Sequence, residues 1–266
     1  MTPQTSPLLA DAPDFSVRLA ETAQDVEAAQ RLRYEVFVRE LGGTGPMVDH
    51  RARLEADRYD AVADHLLLRD HRRPGAPVVG VYRLMRSEQA DRAGQFYSES
   101  EYDLTMLRQS GRQLLELGRS CLAPAYRGGT AMYELWTGLA AYVDAHQIDL
   151  LFGVASFHGT NPAALSAPLS LLHHRHLAPP ALRVRARHEN YQSMNLIAPD
   201  QIDRRAAMTA MPALIKGYLR LGGMVGEGAW IDHAFNTIDI CLVMDTARLN
   251  ATQRAIYAGD PSRLIR

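Results

Sequence analysis

The sequence predicts a mixed α/β fold (α+β), one sheet flanked by helices, and three observations lead there. Two apolar runs at residues 65–70 and 78–86 flank a Pro74-Gly75 turn, the pattern of an antiparallel hairpin. Residues 114–122, 130–146 and 150–155 then read as strand, amphipathic helix and strand, a crossover between strands of one sheet. The 266 residues are 47% hydrophobic and 22% charged, a globular composition and enough chain for one large domain or two small ones.

Taken in order, residues 15–20 form a short strand. Thr22, with Asp25 three positions on, caps a helix running to about residue 40. Along that helix Val26, Ala29, Val36, Phe37 and Leu41 recur at helical spacing, and Arg33 falls in the same stripe, four residues before Phe37. A guanidinium among apolar neighbours must meet an anion or reach water, so Arg33 is either a binding group or half of a structural ion pair. An acidic, turn-like segment with Glu55, Asp57, Tyr59, Asp60 and Asp64 follows. Beyond the hairpin, residues 104–109 read as a short helix. The helix at 130–146 sets Met132, Leu135, Trp136, Leu139 and Val143 on one face. Residues 161–174 and 206–221 read as further helices, 222–228 as a glycine-rich link, and 230–232 and 238–244 as strands. There is no repeat and no Pro/Ser-rich linker. One continuous domain over 15–266 is expected, with a flexible tail at 1–14 and a C-terminal extension from about residue 178.

The net charge of −1 argues against a nucleic-acid binder, whose domain is normally strongly basic. Charge is nevertheless uneven. Between residues 175 and 220, eight cations stand against three acids, a net +5, and one of those cations is Lys216, the chain's single lysine. Such a face suits an acidic partner or anionic lipid headgroups, or is simply solvated. Arg183, Arg185 and Arg187 alternate and on a strand would line one face. No apolar stretch is long enough to cross a bilayer and no signal-peptide pattern opens the chain, so a cytoplasmic protein is expected. Cys121 and Cys241, isolated in apolar runs, read as buried thiols of a reducing compartment. His173 and His176 lie one turn apart with no acid or cysteine close by, and no metal is expected.

The loop of residues 125–131 joins a strand to the N-terminus of the most amphipathic helix. Unpaired backbone N–H groups and the positive end of the helix dipole suit a phosphate there. Gly128 and Gly129 let the backbone approach a ligand, and Arg127 adds a charged donor. A tight turn without a ligand is the competing reading. Arg127-Gly128-Gly129-Thr130-Ala131 resembles the acyl-CoA or phosphopantetheine loop of the GNAT acyltransferases, with Thr130 at the first glycine position of that pattern.

Several further segments carry resemblances. Arg33-x-x-x-Phe37, Asp57-x-x-Asp60, Gly80-Val81-Tyr82-Arg83-Leu84, Phe96 and Glu116-Leu117-Gly118-Arg119 occur in the order found in acyl-homoserine-lactone synthases, which are GNAT-fold enzymes. The stretches 153–160, 173–180, 215–222 and 231–239 are similar to the ornithine-lipid N-acyltransferases. The resemblance implies a GNAT-like, mostly antiparallel central sheet flanked by helices. It also implies transfer of a 3-hydroxyacyl group from acyl carrier protein to the α-amine of L-ornithine, making lyso-ornithine lipid. No cofactor is then bound, since the acyl donor rides on the phosphopantetheine of the carrier. Acyl-homoserine-lactone synthesis, another amino-acid acceptor, or a non-catalytic membrane-associated binding module are the alternatives.

Amine attack on a thioester requires a base, an oxyanion partner and a leaving thiolate. In the implied fold, a splayed strand supplies a backbone N–H to the oxyanion, here near Ser120, Cys121 and Leu122. A carboxylate inside an apolar strand is expensive unless it serves a pair or a site, which makes Glu116 the candidate base, with Arg119 beside it. Strict alternation puts the two on opposite faces, so a bulge is needed to bring them to one cleft. Separate ion pairs are the alternative. For ornithine, Arg33 or Arg83 would clamp the carboxylate, Phe37 would line the site, and Asp57, Asp60 or Asp232 would pair with the δ-ammonium. The basic segment and Arg127 would dock the acidic carrier, and the same segment would rest on membrane lipids.

Overall fold

Turn chemistry and alternation lay out the first half of the sheet much as the sequence suggests. The computed structural model describes residues 12–249. Nine strands form the central sheet: β1 (Phe15–Leu19), β2 (Asp64–Asp70), β3 (Val78–Arg86), β4 (Leu114–Leu122), β5 (Leu150–His158), β6 (Tyr191–Gln192), β7 (Met224–Val225), β8 (Ala229–Asp232) and β9 (Thr237–Asp245). Their order is β1-β2-β3-β4-β5-β9-β8-β6, with β7 also against β9. Every neighbouring pair is antiparallel except β4 and β5 at the centre, which run parallel.

Seven helices flank it: α1 (Ala23–Arg33), α2 (Ser87–Ala93), α3 (Thr105–Arg108), α4 (Ala131–Ala145), α5 (Ser166–His176), α6 (Arg204–Ala210) and α7 (Ala213–Arg220). The expected capping pair is present: Thr22 accepts from Asp25 N–H while Asp25 accepts from the Thr22 backbone. The helix then changes character, and Tyr34–Glu40 winds as a π-helix, an insertion often found beside functional sites. Two further readings are corrected. The helix expected over 206–221 is two, because Pro212 has no N–H to donate and its ring crowds the preceding turn. The strand expected over 150–155 runs on to His158, because β9 pairs with it over nine residues, from Thr237↔His158 to Asp245↔Leu150. Only Arg185–Ala186 of the alternating arginine run is strand. Leu182, Val184 and Ala186 are buried, so Arg183, Arg185 and Arg187 do point outward.

Side-chain alternation splits the core in two. On one face Leu66, Leu115, Leu151, Ile240 and Leu242 pack beneath α4, α5 and α7, with Leu135 of α4 among them. On the other, Met85, Phe96, Tyr102, Phe152 and Val243 form a second cluster. The segment beyond residue 178 supplies β6 to β9, and β9 lies between β5 and β8 as a full member of the sheet. Of the tail read at 1–14, residues 1–11 lie outside the described residues. Asp14 is already tied to the hairpin, through Asp70 Oδ1 and the His71 N–H.

Candidate active site

The one parallel junction is where the sheet opens. β4 and β5 pair only at Leu114↔Leu150, Leu115↔Leu151 and Glu116↔Phe152, then run on without further pairing to each other. Gly153 sits at the parting point. A Cβ there would lie 2.1 Å from the Leu117 carbonyl oxygen, so only glycine lets the strands separate so late. Between them lies a cavity of about 270 Å³ lined by both strands and reaching both faces of the sheet. Tyr82, Leu117, Leu151, Leu214, Leu242 and Met244 line it on the α4–α7 face. Phe37, Tyr97, Arg119, Asp232, Phe235 and Asp239 make a charged and aromatic lobe.

The bulge that the sequence required is present. Val81 pairs with Cys121 and Arg83 with Gly118, so Arg119 and Ser120 together oppose Tyr82, and Arg119 has φ of 51°. The extra residue turns Arg119 to the same face as Glu116. It also moves Cys121 into an apolar cluster with Ala29, Val36, Leu67 and Val81, where burial pushes the thiol up to about 12. Cys121 is therefore a core thiol and does not line the cavity.

Glu116 does not line it either. Its carboxylate is buried and accepts the backbone N–H groups of Tyr97 (2.9 Å) and Ser98 (2.6 Å). Burial raises its pKa, opposed by those donors. The carboxylate fixes the 3₁₀ turn Tyr97–Ser100, which holds the Tyr97 ring 4.5 Å from the Arg119 guanidinium. The expectation of a free base at Glu116 is thus replaced by that of a carboxylate that positions Tyr97.

The proposed carboxylate clamps are also spent. Arg33 is fully buried, and its donors go to Glu55 Oε2, the Glu55 carbonyl (2.6 Å) and both oxygens of Asp60 (2.8 Å each). Arg83 Nη1 holds Asp57 (2.6 Å) and Asp60 (2.9 Å). Arg119 completes the set, with Nε on Glu55 (3.0 Å) and Nη2 3.5 Å from Asp57. Three guanidinium groups and three carboxylates balance. The neighbouring arginines hold the Asp57 and Asp60 carboxyls well below their usual range against the cost of burial. Of these six residues only Arg119 lines the cavity; Arg33, Arg83, Asp57 and Asp60 are its foundation, not its surface.

Asp232 and Phe37 do line it, as expected, although Asp232 Oδ1 also accepts the N–H groups of Ala234 (2.7 Å) and Phe235 (3.0 Å). The sequence reading missed Tyr97, Glu101, Asp239, Tyr82, Tyr218, Ser156 and His158. Asp239 carried a usable signal, since it interrupts the apolar strand Thr237–Asp245 just as Glu116 interrupts β4. Glu101, Asp232 and Asp239 offer carboxylate oxygens that all lie within 4.8 Å of one another. Burial and mutual repulsion push Asp239 up to about 6 and Glu101 well above the carboxylate range. On the opposite lobe, Tyr82 and Tyr218 hydroxyls lie 3.0 Å apart, a polar point in an apolar wall.

The glycine loop lies outside this cavity's lining. Gly128 (φ 76°) and Gly129 have nothing within 4 Å of an added Cβ, and Thr130 does not cap α4 with its side chain. Ala131 opens that helix. Arg127 forks onto Glu40 (2.6 and 2.7 Å) and also reaches the Leu122 carbonyl (3.1 Å). Arg204, Arg205, Lys216 and Arg220 line a shallow groove between α6 and α7. The same α7 presents Leu214 and Tyr218 to the cavity. Among the described residues no helix is long and apolar enough to cross a membrane.

Comparison with known proteins agrees with this architecture. Residues 32–137 match the acetyltransferase (GNAT) domain family. The chain is 57% identical to the L-ornithine N(alpha)-acyltransferase of Rhodobacter capsulatus, over 94% of this chain and 97% of the relative. It is 43% identical to the protein of the same name from Brucella abortus, over 94% and 91%. Among solved structures, FeeM, an N-acyl amino acid synthase from uncultured soil microbes, superposes with a TM-score of 0.53 at 14% identity, covering 92% of this chain and 99% of that one. The acyl-homoserine-lactone synthase LasI gives 0.50 at 15%, covering 93% and 96%. At such identities these two speak for the fold alone.

Proposed function

Since the chain belongs to the L-ornithine N(alpha)-acyltransferase family of GNAT enzymes, we propose that it moves a 3-hydroxyacyl group from acyl carrier protein to the α-amine of L-ornithine, giving lyso-ornithine lipid. The supporting observation is a cavity through the sheet, apolar on one face and charged on the other, meeting at the β4 bulge. An acyl chain fits the first lobe and an amino acid the second. The Tyr82–Tyr218 hydroxyl pair supplies a hydrogen-bonding partner for a 3-hydroxyl within the apolar lobe.

The α-amine nitrogen attacks the thioester carbonyl; a C–N bond forms, the C–S bond breaks, and the thiolate leaves to be protonated. Backbone N–H groups of Leu117–Ser120 on the edge facing β5 have no strand partner there and are the donors proposed for the oxyanion. Such donors are typically worth about 3–4 kcal/mol of transition-state stabilisation. Arg119 takes the role first considered for Arg33 and Arg83, holding the α-carboxylate from a site its own acids have already fixed. His158, at the end of β5 and lining the cavity, replaces Glu116 as the group taking the ammonium proton, because its ring carries a nitrogen acceptor.

The uncapped start of α4, with Gly128, Gly129, Thr130 and Ala131, is the proposed seat of the phosphopantetheine phosphate, and Arg127 its charged neighbour. The α6–α7 groove is the proposed dock for the acidic carrier, on the helix that also walls the acyl lobe. That basic surface is also suited to contact with a membrane as the lipid product leaves. Purified protein supplied with 3-hydroxyacyl carrier protein and a panel of amino acids tests the reading. N-acyl-ornithine as the dominant product supports it; transfer from coenzyme A alone, or to no amino acid, defeats it.

A further inference from the structure

We propose that Glu101, Asp232 and Asp239 form a seat for the distal ammonium of a diamino acid, and that this seat selects ornithine over neutral amino acids of similar length. The inference rests on the reading of the cavity as an amino-acid N-acyltransferase site. The three acids come from separate elements: the loop after the Tyr97–Ser100 turn, the end of β8, and the start of β9, at its third residue. Yet their oxygens converge within 4.8 Å. Like charges so close repel; Ser156, Thr237 and Arg119 ease the repulsion at Asp239, yet burial and the neighbouring acids outweigh them.

Glu101 Oε2 and Asp239 Oδ1 are buried and have no hydrogen-bond partner, and both side chains are only 4% exposed. Arg119, the guanidinium whose charge reaches them, already serves Glu55, Asp57 and Met47 with Nε and Nη2. A buried acceptor left unpaired is costly, so the arrangement calls for a cation bearing hydrogen-bond donors. Asp232 and Asp239 open onto the cavity that Arg119 also lines, which suits a cation belonging to a ligand that carries a carboxylate as well. A primary ammonium is compact and has three donors, one for each acid. A divalent cation is the rival occupant, because hard cations also take clustered carboxylate oxygens.

Acceptor kinetics with ornithine and with norvaline, its analogue lacking the distal amine, test the seat. Wild-type protein is expected to favour ornithine by about 100-fold or more in kcat/KM, as sites built around a buried polar contact do. Glu101→Gln and Asp239→Asn should each lower that ratio by about tenfold or more through ornithine KM, with kcat little changed. Both replacements are isosteric and relieve the crowding of acids, so a thermal midpoint equal to or above wild type checks the fold. Should a variant fail to fold, the wild-type ratio still decides. Equal use of norvaline and ornithine overturns the seat while leaving the acyltransferase reading intact. Unchanged ornithine KM in both folded variants does the same. Loss of wild-type activity in EDTA, restored by Mg²⁺ or Ca²⁺, overturns it in favour of a metal. Transfer to no amino acid removes the reading beneath it and the seat together.

Discussion

Two clusters of buried charge flank the same cavity and are built on opposite principles. Around Arg33, three guanidinium groups and three carboxylates are interleaved so that each acid touches at least two arginines. Around Asp239, three acids meet with no cation in contact and with two oxygens unpartnered. Paired buried charge is scaffold: it fixes α1, the acidic turn and the bulged strand relative to one another. Unpaired buried charge stores a binding preference, because it is relieved only by something from outside the chain.

The contrast predicts mutational effects of opposite sign. Arg33→Met strands Glu55 and Asp60 in the interior and should cost about 3–5 kcal/mol, on the scale for breaking a buried ion pair. In a domain of this size that lowers the thermal midpoint by about 10 °C, readable by calorimetry. A midpoint within a degree of wild type would mean the network is not structural. Glu116→Gln belongs to the same class. The amide presents one acceptor where the carboxylate offered two to Tyr97 and Ser98, so a loss of about 1–3 kcal/mol is expected in urea unfolding, with activity falling as the Tyr97 turn loosens. Undiminished stability with abolished turnover would return Glu116 to the role of base.

Acidity should separate the clusters without any mutation. Asp60 has a lowered folded pKa, so its contribution is present above its unfolded value and fades as pH falls below about 4. Asp239 is the reverse, faced by Glu101 and Asp232 with Arg119 and Tyr97 nearby. Its folded pKa is raised to about 6, so the folded chain keeps a proton the unfolded chain has lost, and stability falls as pH rises from about 4 to 6. Asp239→Asn should flatten that decline and raise the ligand-free midpoint at pH 7.5 by about 2–8 °C. An unaltered pH profile would show that the trio carries no stored repulsion. The smallest effect is at the periphery. Arg205→Glu with Lys216→Glu should slow transfer from acyl carrier protein by about tenfold through docking and spare a short thioester analogue. Equal losses with both donors would remove the groove from the docking surface.

Much of the sheet was legible because alternation, the Pro74-Gly75 turn and the Thr22–Asp25 cap are local signals. The π-helix and the extension of β5 were not, since the second depends on β9, almost eighty residues further along the chain. In the site, the need for a bulge followed from the spacing of Glu116 and Arg119, whereas their roles did not. A carboxylate in an apolar strand looks alike whether it caps a backbone turn, as Glu116 does, or faces a cavity, as Asp239 does. Arg33 shows the same ambiguity: its place in an apolar stripe announced a buried charge, and only the fold shows Glu55 and Asp60 waiting for it.

The account stands or falls on where the two halves of the product lie. A crystal structure with N-(3-hydroxyacyl)-ornithine bound should show the acyl chain along Tyr82, Leu151 and Leu242, and the ornithine among Arg119, Asp232 and Asp239, with the amide at the β4 bulge. Both halves on one face of the sheet, or a product seated outside the gap between β4 and β5, would contradict it.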